Sequence, residues 1–262
     1  MEYLFNVMPK LRESLRGKFI LLFLDFDGTL SPIADTPAKA TIPKETIQLL
    51  KGLSRQPQFK LVIISGRALK DLKEKIGLGN IVYVGNHGLE LEGPKLKFEA
   101  QVSSAYKSLL KQIKSYFYKE LSSVKGIFIE DKGLSLSLHY RLAEKKDIAR
   151  VKSIFQEAVS SHLVKNKIKI YSGKMVSEIR PPAAWDKGRM ALWILYRQKF
   201  ILKGEPLLPI YVGDDITDED AFKALRGKGV TIFVGRPKPS FAQYYLKDTN
   251  EVAEFLKFLC QN

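Results

Sequence analysis

Two aspartates two residues apart, Asp25 and Asp27 in the segment Phe23-Leu24-Asp25-Phe26-Asp27-Gly28-Thr29-Leu30, stand directly behind the apolar run 19–22. Side chains at i and i+2 share one face of a strand, so as the chain leaves the strand for the Gly28-Thr29 turn both carboxylates can project into one crevice. In a doubly wound sheet such a crevice lies at the C-terminal ends of the strands. Two acids there can divide labour. Asp25 can attack an electrophile, while Asp27, if its proton is retained beside a like charge, can protonate a leaving group. A calcium loop would place glycine sixth and a bidentate Glu twelfth, whereas Gly28 is fourth and Thr36 twelfth, so that reading is set aside.

Three more segments carry chemistry. Ser65-Gly66-Arg67 follows an apolar run and offers a hydroxyl, a tight turn and helix-start amides that can hold a phosphate oxygen. Lys187 falls in the first turn of a helix, where a cation opposes the helix dipole and has no structural reason to be preferred. Gly213-Asp214-Asp215-Ile216-Thr217-Asp218-Glu219-Asp220 gathers five acids within seven residues behind another apolar run. Such crowding repels itself unless some acids cap a helix, face solvent or hold a cation. Oxygen donors without His or Cys suit Mg²⁺ and disfavour zinc. Phosphoryl transfer needs an in-line nucleophile, cations for the equatorial oxygens and an acid for the leaving oxygen. Asp25, then Mg²⁺ with Lys187 and Ser65, then Asp27 can supply them.

These residues need a frame. Runs at 19–24, 59–64, 208–212 and 230–234, rich in Ile, Val, Leu and Phe, read as buried parallel strands, with 81–84 as a fifth. Helical spacing at 44–53 and 68–76 between them gives βαβ alternation, hence an α/β, Rossmann-like core. From 98 to 181 the texture changes to a helix at 105–119, strands at 126–129 and 134–138, a helix at 148–162, and strands at 168–171 and 175–179. Alternation with one polar face predicts an antiparallel sheet covered on one side by helices, an inserted α/β cap over 98–181 between core segments 1–97 and 182–262.

Of the 262 residues, 45% are hydrophobic, enough for a globular chain of one large or two modest domains. A single cysteine, Cys260, allows no internal disulfide or cysteine metal site. The N-terminus lacks the order of a signal peptide and no run can span a bilayer, so the expectation is a soluble, cytoplasmic protein without membrane partners. The formal charge of +15 is scattered, with no zinc-finger or RNP pattern, which argues against nucleic acid and leaves a lysine-rich solvated surface or an anionic small substrate. Residues 98–181 hold 16 Lys and Arg against 8 Asp and Glu, about half the excess charge in a third of the chain, which would suit a lid over an anion.

Taken together, Asp25-Phe26-Asp27-Gly28-Thr29, Ser65, Lys187 and Gly213-Asp214-Asp215 with Asp218 resemble the motifs of the haloacid dehalogenase (HAD) superfamily of phosphotransferases in order and spacing. The resemblance implies a phosphorylated Asp25, Asp27 as acid and then as base towards water, and Mg²⁺ on Asp25, the Asp27 carbonyl and Asp214 with Asp218 close behind. More narrowly, residues 19–250 resemble the trehalose-6-phosphate phosphatase family. The likeness includes Gly85-Asn86-His87-Gly88-Leu89-Glu90, Glu130-Asp131-Lys132-Gly133, His139-Tyr140-Arg141 and Glu178-Ile179-Arg180-Pro181. It implies that Glu130, Lys132, Arg141, Lys174 and Glu178 hold disaccharide hydroxyls, with Arg67 and His87 also against the substrate. It further implies a free-standing monomeric enzyme of trehalose biosynthesis, and leaves association with a trehalose-6-phosphate synthase open. Rivals are a phosphatase for sucrose, mannosylglycerate or monosaccharide phosphates, which cap residues would distinguish, and a sugar-phosphate sensor without catalysis, which would lack a catalytic acid or Lys187.

Overall fold

The computed structural model of the protein describes residues 1–173 and 175–261, so Lys174 lies outside the described residues. They form two compact units, one of residues 1–99 and 185–262, the other of residues 100–184.

The first unit is built on a nine-stranded sheet among the described residues. Phe19–Leu24 lies at its centre, paired in parallel with Phe59–Ile64 on one side and Leu207–Gly213 on the other. Val82–Gly85 extends the first side in parallel; Val230–Val234 and Tyr244–Leu246 extend the second. The order therefore reverses at Phe19–Leu24, which makes its C-terminal end the switch point where an open crevice forms. The centre is dictated by composition. Ile20, Leu22 and Leu24 bury into one cluster and Leu21 and Phe23 into the other, because helices cover both faces of the sheet. Each such side chain contributes about 1.5–3 kcal/mol on burial.

Two pairings at the sheet's margins depart from the sequence reading. Glu90–Gly93 and Leu96–Glu99 form a hairpin that adds two antiparallel strands to the parallel core, so the core sheet runs to Glu99. At the other edge the two-residue strand Glu2–Tyr3 pairs with Tyr244–Leu246. Among the described residues no helix is long and apolar enough to cross a membrane.

The second unit has a four-stranded antiparallel sheet in the order Phe128–Asp131, Leu136–His139, Val176–Arg180, Lys169–Gly173. Helices Ser104–Glu120 and Ile148–Val164 pack Leu109, Ile113, Phe117, Val151, Phe155 and Val159 against Leu136, Leu138 and Ile179 on one face. Ser103 caps the first helix by accepting from the Tyr106 N–H at 3.1 Å.

Candidate active site

The central strands of the core unit deliver the predicted residues to one edge. Asp25 directly follows Phe19–Leu24, Ser65 follows Phe59–Ile64, Asn86 and His87 follow Val82–Gly85, and Asp214 follows Leu207–Gly213. Lys187 is the first residue of helix Lys187–Leu202, behind the cap Asp186, whose carboxylate accepts from the Arg189 N–H.

Lys187 is 2% exposed and joins two carboxylates: its ammonium donates to Asp25 Oδ1 at 2.6 Å and to Asp218 Oδ1 at 2.7 Å. Burial works against its charge, but Asp218 and Asp25 more than offset that and hold its pKa above the ordinary lysine range. Burial pushes Asp25 well up; Lys187 opposes this, and the Asp218 and Asp214 carboxylates add to it. Oxygens of Asp25, Asp214 and Asp218 lie within 4.8 Å of one another. Lys187 bridges two of these three carboxylates, Asp25 and Asp218. The donors are all hard oxygens, as Mg²⁺ prefers.

Backbone shape makes this crowding possible. Gly28 has φ +85°, and a Cβ there would stand 2.2 Å from Asp214 Oδ2, so only glycine lets the turn after Asp27 pass against Asp214. The acid cluster at 214–220 sorts by role. Asp215 and Asp218 form a capping box for the short helix that follows, and Glu219 accepts from the Phe241 N–H. Asp214 and Asp218 face Asp25.

Asp27 meets a cation. Arg67 donates from Nε to Asp27 Oδ2 and from Nη2 to Oδ1, both at 2.7 Å, and from Nη1 to Asp71 Oδ2 at 2.7 Å, with its guanidinium over the Phe26 ring. A bidentate guanidinium thus stands beside Asp27, which turns towards the Ser65 loop, and the Arg67 side chain bridges Asp27 and Asp71. Ser65, 1% exposed, accepts from the Arg67 backbone N–H at 3.2 Å. His87, on the neighbouring loop, packs against the Ser65 loop: its N–H donates to the Ser65 carbonyl at 2.9 Å, and its ring fills the space a Cβ on Gly66 would need, 2.3 Å from Nε2. Asn86 and His87 take positive φ, and Glu90 pins the turn by accepting from Asn86 Nδ2 and the Leu69 N–H.

Three residues of this site escaped sequence reasoning. Tyr211, fully buried on Leu207–Gly213, donates its phenol to Asp218 Oδ1 at 2.7 Å. Burial, then Asp218 and Asp25, hold that phenol well above its usual pKa, so it remains a donor. Inside an apolar run nothing marks a tyrosine as different from a core aromatic. Asp71 had a signal, its i+4 spacing from Arg67. Glu90 stood in a quoted motif without a role.

The second unit holds its own charged cluster. The register aligns Glu130, Ser137 and Glu178 across three neighbouring strands. Glu178 Oε1 accepts from Lys132 Nζ and Ser135 Oγ, each at 2.9 Å, and Oε2 from Arg180 Nε and Nη2 at 2.9 and 2.6 Å. Arg180 also lies over the Tyr171 ring at 3.9 Å. Glu130 pairs with His139 at 2.8 Å and approaches Lys132 at 4.0 Å. Glu178, Ser135 and Ser137 are buried, in contrast to the solvated sheet face that charged residues on alternating strands would otherwise suggest. Arg141 lies in the turn beyond Leu136–His139 and is exposed.

The chain is similar to known proteins of one family. The family model described as trehalose-phosphatase matches residues 23–250. A probable trehalose-phosphate phosphatase D of Arabidopsis thaliana is 33% identical over 98% of this chain and 71% of its own length. Among solved structures, the C-terminal domain of C. albicans trehalose-6-phosphate phosphatase superposes with a TM-score of 0.79 at 24% identity, covering 97% of this chain and 96% of that one. Aspergillus fumigatus trehalose-6-phosphate phosphatase gives 0.63 at 27% identity, covering 97% of each.

Proposed function

Because the chain belongs to the trehalose-phosphatase family of the HAD superfamily, and is thus a phosphoric monoester hydrolase whose family implies a divalent metal, we propose that it hydrolyses trehalose 6-phosphate to trehalose and phosphate through a phosphorylated Asp25, with Mg²⁺. The observation that carries the chemistry is the buried Asp25–Lys187–Asp218 array beside Asp214 at the switch point of the parallel sheet.

In the first half-reaction Asp25 Oδ2, the oxygen that does not accept from Lys187, forms a bond to phosphorus as the bond to the sugar oxygen breaks, and Asp27 delivers a proton to that oxygen. Both Asp27 oxygens accept from Arg67 in this structure, so an Asp27 that carries a proton gives up one of those bonds. In the second half, Asp27 takes a proton from water, water oxygen bonds to phosphorus, and the phosphorus bond to Asp25 breaks. Lys187 holds the nucleophile in place and balances charge around it, while Ser65, whose oxygen already accepts from Arg67, turns its proton to a phosphoryl oxygen. Mg²⁺ held by Asp25, Asp214 and the Asp27 carbonyl, with Asp218 close behind, would neutralise charge on the phosphoryl oxygens.

Sugar recognition falls to the second unit. Its row of Glu130, Lys132 and Glu178 supplies acceptors and a cation suited to several hydroxyls, with Arg141 and Lys174 as further contacts and His87 at the core edge. In this structure Glu178 is fully engaged by its neighbours, so binding sugar means exchanging protein donors for hydroxyls.

The test is phosphate release with Mg²⁺ from trehalose 6-phosphate, sucrose 6-phosphate, glucose 6-phosphate and an aryl phosphate, with Asp25→Asn as the control. Preference for trehalose 6-phosphate, abolished by the substitution, is expected. Equal rates on all four would keep the chemistry and overturn the sugar assignment; no release from any would overturn both.

A further inference from the structure

Asp218 is heavily engaged by protein donors. It is 0% exposed; Oδ1 accepts from both Lys187 and Tyr211, each at 2.7 Å, and Oδ2 accepts from the Asp215 N–H at 3.0 Å. A carboxylate offers about four lone-pair positions, so three protein donors leave little for a cation. Asp25 accepts from Lys187 on one oxygen only, and Asp214 belongs to the same set of oxygens within 4.8 Å. The donors around Asp218 are rigid. Tyr211 is locked in the sheet between Phe23, stacked at 5.9 Å, and Phe222, edge-on at 5.6 Å. The Asp215 N–H is fixed by the capping box.

We infer that Tyr211 is a positioning residue which holds Asp218 against Lys187 and away from the cation, so that Asp218 anchors the lysine while Asp25 and Asp214 carry the metal. This rests on the reading of the pocket as a Mg²⁺-dependent phosphatase site. The physical logic is competition for one oxygen. The phenol satisfies a lone pair that would otherwise turn to a divalent ion, and it fixes the carboxylate plane so that the same oxygen meets the Lys187 ammonium. Removing the hydroxyl has two opposite consequences. Asp218 gains freedom to coordinate, and Lys187 loses the fixed partner that keeps it on Asp25.

Tyr211→Phe separates these effects because the ring and its packing remain. Calorimetric titration of the apo protein with Mg²⁺ alone reads the first, and steady-state kinetics the second. The expected result is Mg²⁺ binding tightened about threefold by the released carboxylate oxygen. It is accompanied by kcat lowered about tenfold, in the range seen for residues behind a metal site, with KM for the sugar phosphate little changed. Leu195→Ala is the control for packing: it opens the same apolar cluster without removing the phenol or the rings that hold it, should lower the thermal midpoint, and should leave the Mg²⁺ constant alone. A Tyr211→Phe protein that loses stability while keeping wild-type Mg²⁺ affinity and kcat would overturn the inference and leave the phosphatase reading standing. Weakened Mg²⁺ binding in Tyr211→Phe would overturn it as well, since the phenol would then be supporting a direct ligand. Wild-type protein that neither binds Mg²⁺ nor releases phosphate would overturn both.

Discussion

The core and the inserted unit each bury a cluster of charged side chains, and the two clusters are balanced differently. In the core, Asp25 and Asp218 share the ammonium of Lys187, and Asp214 lies with them. In the inserted unit, Glu178 and Glu130 face Lys132 and Arg180, with His139 on Glu130. Acids and bases there are matched, and every Glu178 oxygen has donors. A buried charge without compensation is costly, and a fully paired one makes no demand for a further ion. In the proposed function the core cluster takes a cation, and the other cluster takes a ligand that replaces hydrogen bonds one for one, so the difference separates chemistry from recognition.

The sharpest way to break the comparison is to withdraw the cation. Chelation should abolish phosphate release, by at least about 10³-fold, and Mg²⁺ should restore it. It should also raise the thermal midpoint of the core, since a ligand at 100 times its Kd adds about 2.7 kcal/mol to the folded state. If midpoint and rate are both indifferent to Mg²⁺, the charge argument fails.

Arg67→Ala tests the next contrast, between holding a catalytic group and holding substrate. With its guanidinium on Asp27 and Asp71, the expected loss is about 10²-fold in kcat with KM nearly unchanged. A rise in KM with kcat preserved would return Arg67 to the substrate.

Glu178→Gln probes the balanced cluster. It keeps the shape but removes the charge that pairs Lys132 and Arg180, and it should raise KM for trehalose 6-phosphate about tenfold while leaving an aryl phosphate untouched. Glu178→Ala goes further, leaving two buried cations without their partner at a cost of about 3–5 kcal/mol in denaturant unfolding. Equal damage to both substrates would place Glu178 in the chemistry instead.

The core site was the more legible of the two because its signal is one-dimensional. An apolar run followed by an acid, a hydroxyl or a glycine reads as a strand and its C-terminal loop, and parallel strands must deliver those loops to one edge. What spacing cannot convey is side-chain direction. Asp27 and Arg67 are forty residues apart, and only the adjacency of Phe19–Leu24 and Phe59–Ile64 turns them into a bidentate pair. Tyr211 was hidden for a related reason, since its ring belongs to the core and only its hydroxyl to the site. In the inserted unit the strands were readable from alternation, yet the burial of Ser135, Ser137 and Glu178 was not. Polar residues on a strand suggest water until the partners are known. Strand Glu2–Tyr3 is too short to carry a period at all.

The central claim is that Asp25 is the nucleophile of the core site. The most direct measurement is to quench the enzyme with acid during turnover of trehalose 6-phosphate and map the covalent product by mass spectrometry. The account predicts one phosphoryl group on Asp25, absent in Asp25→Asn and accumulating when Asp27→Asn slows its hydrolysis. Rapid turnover with no label on Asp25, or with the label on another residue, would contradict it.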